Sequence, residues 1–303
     1  MQWTAIANPA AGRGRGRKLL PHLASALSAA GRNIDLSVSA DPEHGRRLAR
    51  EAFARGNGVL ACGGDGTVSD LAGVAAETGG LLGIVPAGSG NDFARDLGFD
   101  HRRPLDALDT LEHGRVVHVD LGRVGERWFG AVAGTGFDAE ANRWANTVRH
   151  LSGTPLYVLA VLRTLATYRP RRFRITLDDR EPREVRAWLL VVGNGSSYGG
   201  GMRVAPAARL NDGLLEVIVV GPLSRPQFLR TFPKVFRGTH VTHPLVEQQQ
   251  CARIRIESSE PEAPIEVYAS GERVGPLPVE VEVVPRALRV MVPADSPVPA
   301  RDA

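Results

Sequence analysis

The sequence predicts a two-part chain, an α/β domain with a parallel sheet followed by a domain built mainly from antiparallel strands. Three observations carry this. The first third alternates short apolar runs with helical patterns, and from about Arg115 the pattern becomes strand-rich. The 303 residues also exceed what one hydrophobic core usually organises. Core supply is ample, since 43% of residues are hydrophobic and 23% charged, a globular composition far from that of disordered chains.

In the first part Trp3 to Asn8 reads as a strand, Arg17 to Ala30 as a helix closed by Gly31, and Ile34 to Ser39 as a second strand. Pro42 suits the first turn of a helix running to about Arg55. Val59 to Cys62 is a third strand, Val68 to Glu77 a helix, and Leu81 to Val85 a fourth strand. Strands separated by helices require right-handed crossovers and a parallel sheet. In the second part strands are predicted at Arg115 to Val124, Arg127 to Ala133, Arg172 to Leu177, Val185 to Val192, Leu214 to Val220, Arg253 to Glu257 and Ile265 to Ala269. Helical patterns interrupt them at Ala139 to Thr167, broken near Ser152 to Pro155, and at Pro226 to Arg237. The expected division is 1–118 and 119–286, with the tail from Pro293 to Ala303 reading as disordered and 297–303 outside both domains.

Composition narrows the function. Cys62 and Cys251 match no zinc spacing, and the N-terminus does not resemble a secretory signal, so a reducing cytoplasm is expected. The longest apolar stretches, Val185 to Val192 and Leu214 to Val220, fall far short of the roughly 20 residues of a bilayer-spanning helix. The net charge of +4 is modest, but arginines concentrate between Arg163 and Arg174. Peripheral contact with anionic lipid and a solvated loop with strand-edge arginines both fit that cluster. Nucleic acid is not an expected partner, because no recognition helix, zinc module or RNA-binding motif accompanies the basic residues.

Three glycine-rich loops carry the chemistry. Cys62-Gly-Gly-Asp-Gly-Thr-Val68 directly follows a buried strand and precedes a helix. Its glycines let backbone N–H groups approach a phosphate, and the helix start adds unpaired donors. Thr67 can cap the helix or bond a phosphate oxygen, while Asp65 would repel phosphate unless a metal or hydrogen bonds intervened. A tight turn with a capping residue is the plainer alternative. Asn8-Pro-Ala-Ala-Gly-Arg-Gly-Arg-Gly16 occupies the same context after the first strand. It is neither a Walker loop, since Gly16 is followed by Arg17 rather than by Lys and Ser or Thr, nor a dinucleotide fingerprint. Pro86-Ala-Gly-Ser-Gly-Asn-Asp92 follows the fourth strand. Loops at the carboxyl ends of parallel strands converge on one crevice.

Together these loops resemble the diacylglycerol kinase catalytic-domain family, which includes sphingosine and ceramide kinases and YegS-like lipid kinases. The likeness rests on Asn8-Pro-x-x-Gly12, Gly63-Gly-Asp-Gly-Thr67, Pro86-x-Gly-Ser-Gly-Asn-Asp92, Asp212-Gly-Leu-Leu-Glu-Val217 and Gly271-Glu272. Trp128-Phe-Gly, Gly136-Phe-Asp138, Tyr198-Gly-Gly-Gly201 and Gly275-Pro-Leu-Pro278 draw it nearest to soluble actinobacterial diacylglycerol kinases. The resemblance implies a Rossmann-like first domain similar to that of NAD kinase and phosphofructokinase and a β-sandwich second domain. It also implies ATP between the two, and a C-terminal return to the first domain over about 287–296. Two departures stand out. Ser89 replaces the usual threonine, keeping the hydroxyl, and Ser270 replaces the usual aspartate.

From this resemblance the expected activity is transfer of the ATP γ-phosphate to the hydroxyl of a diacylglycerol-like membrane lipid, with Mg2+. Asn8, Pro9, Gly12, Gly63, Gly64, Asp65, Gly66, Thr67, Gly88, Ser89 and Asn91 would hold the nucleotide. Glu272 would be the general base, with Asp65 as a second catalytic group, and Asp92, Asp120 and Asp212 would support the metal. Turn or helix capping is the alternative for these three aspartates. Phe129, Phe137, Trp144 and Tyr157 could line a lipid path or pack in the core, and His118 and His150, lacking paired ligand spacing, read as structural. The enzyme would sit in the cytoplasm, peripherally associated with the membrane, and a homodimer is an arrangement it could adopt. A sphingoid-base kinase and a non-catalytic regulator, the latter motivated by Ser270, are the rival readings. NAD kinase is more distant, because its signature lacks the Asn8-Pro start and the Gly-Ser-Gly-Asn-Asp loop.

Overall fold

The structure, a computed structural model, describes residues 1–29, 34–148, 153–260 and 264–299. The chain divides into two compact units, Met1–Leu121 with Pro285–Ala303, and Gly122–Val284.

In the first unit β1 (Trp3–Ala7), α1 (Ala11–Ala29), β2 (Ile34–Val38), α2 (Pro42–Ala54), β3 (Gly58–Gly63), α3 (Asp65–Thr78), β4 (Leu81–Pro86) and α4 (Asp92–Asp96) alternate as expected. The parallel sheet runs β2-β1-β3-β4. The runs of β1, β3 and β4 are buried at every residue, which is why they read as unbroken apolar text rather than alternating. Half-exposed β2 is the edge. Asp41 caps α2 by accepting the His44 N–H at 2.8 Å, and Pro42 fills the first turn. Helix α1 opens with left-handed residues at Gly12, Arg13 and Gly14, so its regular part begins close to the expected Arg17. Gly31, expected to close it, lies outside the described residues.

A short helix α5 (Thr110–His113) leads into β5 (Arg115–Val124), which carries the chain into the second unit. There follow β6 (Arg127–Phe129), β7 (Val132–Gly136), α6 (Phe137–Thr147), α7 (Gly153–Thr167), β8 (Arg171–Leu177), β9 (Arg183–Ala187), β10 (Leu189–Gly193) and β11 (Leu215–Val220). Then come α8 (Arg225–Thr231), β12 (Val246–Cys251), β13 (Arg253–Ser258), β14 (Glu266–Ala269), β15 (Glu272–Pro276) and β16 (Val279–Val292). One antiparallel sheet has the order β12-β11-β10-β7-β14-β15. The other pairs the first half of β16 with β13, β13 with β8, and β8 with β9. Between them lies an apolar core that includes Phe129, Phe173, Leu190, Leu215, Ile254 and Val281.

The structure corrects several boundaries. The strand expected over Val185 to Val192 is two strands, β9 and β10, in different sheets. They part at Trp188, whose backbone N–H donates to the Val220 carbonyl at 2.7 Å and whose indole N–H donates to that of Leu223 at 2.8 Å. Arg127 to Ala133 likewise splits into β6 and β7. Strand β12 was not anticipated, because Glu247 to Gln250 give no apolar alternation. The expected helix break at Ser152 falls on a residue outside the described set, and so does His150.

The second half of β16 returns to the first unit, where Arg289 and Val290 pair in parallel with Leu81 and Leu82 of β4. Arg286, at the change of unit, takes a positive φ of 55°, and its N–H donates to the Asp120 carboxylate at 2.7 Å. The tail beyond is packed through Val298, against the expectation of disorder from Pro293. The Ser296 hydroxyl donates to the Leu97 carbonyl at 2.7 Å, Arg115 donates to the carbonyls of Ser296 and Val298, and Val298 is buried. A short polar segment escapes disorder here because its backbone acceptors meet a guanidinium fixed in the domain. No helix among the described residues is long and apolar enough to cross a membrane.

Candidate active site

The first unit knits its three glycine-rich loops into one surface at the carboxyl ends of adjacent strands β1, β3 and β4. The Asn8 side-chain amide donates to the Thr67 hydroxyl at 2.9 Å, while its oxygen accepts the Ala10 N–H at 2.9 Å. The Ala87 N–H donates to the Gly63 carbonyl at 2.8 Å. Gly64 and Gly88 touch backbone to backbone. A Cβ at Gly88 would sit 2.4 Å from the Gly64 Cα and 2.7 Å from Asn91 Oδ1, so only glycine fits. Asn91, in the left-handed region with φ 55°, locks its loop by accepting the Gly88 N–H at 2.8 Å and donating to the Gly88 carbonyl at 2.9 Å. The Arg15 guanidinium also reaches that carbonyl, at 3.5 Å. Pro9, Gly12, Gly66 and Ser89 complete the three loops.

Helix α3 starts at Asp65 with no side-chain cap, so its first-turn N–H groups and dipole face the loops. This bare helix start beside bare glycine backbone fits a phosphate chain. Asp65 does not confront that site with a naked charge. Its carboxylate turns to the neighbouring loop, accepting the Phe93 N–H at 3.2 Å at the start of α4. Burial pushes its carboxyl above the ordinary range, and backbone N–H groups of Phe93, Asn91 and Asp92 oppose the rise. The aspartate that looked misplaced in a phosphate loop ties two loops together.

The three aspartates expected to support a metal sit apart in role. Asp92 is buried in α4, its Oδ1 lying 4.0 Å from the Arg95 guanidinium. Asp120 is buried and accepts from Arg286, and Asp212 accepts the Leu214 N–H at 3.1 Å. Among the described residues no three His, Cys, Asp or Glu side chains gather as a metal cluster.

In the second unit Glu272 is exposed and opens β15, paired with Ala269 across a two-residue hairpin loop. Ser270 and Gly271 form that loop with φ values of 50° and 81°, as a type I′ turn requires. The Ser270 N–H donates to the Val132 carbonyl at 3.0 Å, pinning the turn to β7. Aspartate suits the first position of such a turn better than serine does, so the departure at Ser270 touches backbone conformation as well as charge.

The same unit holds an apolar cavity that encloses, with its open mouth, about 510 Å³. Val161 of α7, Phe137, Phe228, Phe232 and Val235 line it, and His240 and Tyr198 add polar atoms. The His240 Nε2 lies 3.0 Å from the Val204 carbonyl, and burial pulls the ring's pKa down. Of the three aromatics expected on a lipid path whose side chains are described, Phe137 lines this cavity. Phe129 belongs to the core between the sheets, Trp144 lies under the Arg163 guanidinium at 5.2 Å, and the Tyr157 side chain falls outside the described set. Sequence reading missed Phe228 and Phe232, because the Pro226 to Arg237 pattern reads equally as a core helix, and His240, because a lone histidine without paired spacing gives no signal. His118 lies on β5, and the two cysteines are free and buried, the Cys251 thiol pushed up to about 12 by burial.

Residues 2–124 match the family model of the diacylglycerol kinase catalytic domain, and residues 131–292 that of the YegS C-terminal NAD kinase beta sandwich-like domain. A diacylglycerol kinase of Mycobacterium tuberculosis is 39% identical over 297 residues, covering 96% of this chain and 94% of that protein. One of Bacillus subtilis is 28% identical over 295 residues, covering 96% of each. The fold is that of a diacylglycerol kinase from Bacillus anthracis, with a TM-score of 0.71 at 24% identity over 96% of both chains. Two family models that between them span nearly the whole sequence, and a relative alike along its whole length, place the chain in the diacylglycerol kinase and YegS-like family of lipid kinases.

Proposed function

We propose that this protein transfers the γ-phosphoryl group of ATP to the free hydroxyl of a diacylglycerol-like lipid. The observation that carries the reading is the knit of the three loops, in which Gly64 and Gly88 approach too closely for any side chain and α3 begins uncapped beside them. Such a surface binds phosphates through backbone N–H groups. Asn8 and Thr67 hold one wall and Asn91 the other. Magnesium, when bound, would neutralise charge on the phosphates, with Asp92, Asp120 and Asp212 supporting the water around it.

The lipid hydroxyl attacks the γ-phosphorus, the bond to the bridging oxygen of ADP breaks, and Glu272 takes the hydroxyl proton. A carboxylate is a weak base for an alcohol, so the proton moves late, as the phosphoryl group arrives. Acyl chains of the acceptor would occupy the cavity lined by Phe137, Val161, Phe228 and Phe232.

Incubation with labelled ATP, magnesium and a panel of diacylglycerol, monoacylglycerol, ceramide and sphingosine tests this reading. Label in phosphatidic acid is expected. Label confined to a sphingoid product would move the acceptor class, and no labelled lipid at all would leave a non-catalytic binding role.

A further inference from the structure

The described residues include eight large hydrophobic side chains left exposed, and all five in the second unit flank the apolar cavity in sequence: Leu159, Leu162, Leu229, Phe236 and Leu245. Leu162 follows lining residue Val161, Leu229 follows Phe228, Phe236 follows Val235, and Leu245 precedes Val246. Phe236 also meets the lining ring of Phe232 edge-on, with centroids 6.2 Å apart. The two segments are one surface, since Arg225 at the start of α8 donates to the carbonyls of Leu165 and Ala166 at the end of α7, both at 2.9 Å. Scattered apolar side chains are ordinary on a protein surface, but five gathered on the elements around one apolar cavity are not.

The charge on these segments is one-sided. Between Glu140 and Asp178, and again between Glu216 and Glu247, the sequence contains no acidic residue. The bounding acids Glu140 and Glu247 are engaged by Arg143 and Arg183. Among the described residues no acid pairs with Arg169, Arg230, Lys234 or Arg237, all exposed. By contrast Arg171 and Arg174 of β8, expected at the membrane from their sequence, pair with Glu260 at 2.8 Å and Glu184 at 3.9 Å within a strand flanked on both sides.

We propose that the rim of this cavity is a membrane-docking surface, on which Leu162, Leu229 and Phe236 enter the acyl layer while Arg230, Lys234 and Arg237 meet anionic headgroups. It rests on the lipid-kinase reading for its purpose and adds the face through which the acceptor is drawn from the bilayer. Apolar anchors and unpaired cations on one face are what interfacial binding requires, since neither alone holds a protein firmly.

The experiment is sedimentation of the full-length protein with vesicles of phosphatidylcholine plus phosphatidylglycerol, and of phosphatidylcholine alone, without ATP. Wild type should bind the anionic vesicles more tightly, less so in high salt. Leu162→Ser with Leu229→Ser should weaken binding on the order of a hundredfold, about tenfold per leucine. Arg230→Ser with Arg237→Ser should weaken it about fivefold per charge, on anionic vesicles only. Wild-type binding by both variants would overturn the proposal. So would a wild-type dimer that these substitutions dissolve, because the face would then join two copies of the chain. Turnover of a short-chain diacylglycerol dispersed in detergent, which needs no bilayer, should be unchanged in both variants. A wild type that binds vesicles yet phosphorylates nothing in detergent would overturn the kinase reading and leave the docking surface standing.

Discussion

At the scale of single residues, Asp65 shows how a position legible as functional can act through its neighbours. Its carboxylate accepts the Phe93 N–H, so Asp65→Ala removes a cap and should cost about 1 kcal/mol in urea unfolding as well as phosphoryl transfer. Asp65→Asn keeps an acceptor oxygen and separates the two effects: transfer should fall while the unfolding midpoint at neutral pH holds or rises. The sign follows from its raised pKa. A carboxyl harder to ionise in the folded state favours folding below its ordinary range and loses that advantage as pH climbs through the raised value. The stability of Asp65→Asn relative to wild type should therefore increase with pH across that window, and a flat difference would show the carboxyl to be unperturbed. Glu272→Gln should lower turnover roughly hundred- to ten-thousand-fold with ATP affinity little changed. Ser270→Asp, in a left-handed turn position, should keep or raise activity and add a few tenths of a kcal/mol. Full activity in Glu272→Gln would place the base elsewhere.

At the scale of elements, the loop knit and the α7–α8 joint make separate demands. Gly88→Ala brings a Cβ against the Gly64 backbone, which has no flexible end to yield, so about 1–3 kcal/mol of strain and a raised KM for ATP are expected together. A variant with unaltered KM would detach this contact from the nucleotide site. Arg225→Ala removes two hydrogen bonds to the last carbonyls of α7 and should cost about 1–3 kcal/mol. Hydrogen exchange should quicken first in the final turn of α7, ahead of the strands behind it.

At the scale of the whole molecule, the first unit is closed by the C-terminal end of the chain, with β16 beside β4 and the tail on Leu97 and Arg115. Ending the chain after Val292 strips the Arg115 guanidinium of three carbonyl acceptors, those of Ala294, Ser296 and Val298, and uncovers the site of Val298, for an expected loss of about 2–4 kcal/mol. Thermal unfolding of the truncated protein measures it, and an unchanged midpoint would make the tail incidental. Asp120 belongs to the same closure. It holds Arg286 in a positive φ where β16 leaves one unit for the other, a conformation that persists only when its surroundings enforce it.

What the sequence determined by itself was the local grammar. Unbroken apolar runs marked β1, β3 and β4 as buried parallel strands, Pro42 marked the start of α2, and three glycine-rich loops in family order marked the surface proposed to bind phosphate. These rest on backbone preference and periodicity, which act over a few residues and so leave their mark in adjacent letters. Tertiary structure alone decided that Trp188 would divide one apolar run between two sheets, and that Asp65 would spend its charge on the next loop. It alone decided that Phe129 would pack in a core while Phe228 and Phe232 lined a cavity. In each case the deciding partner is distant in the chain, and an aromatic or carboxylate carries no sign in sequence of which partner it will meet.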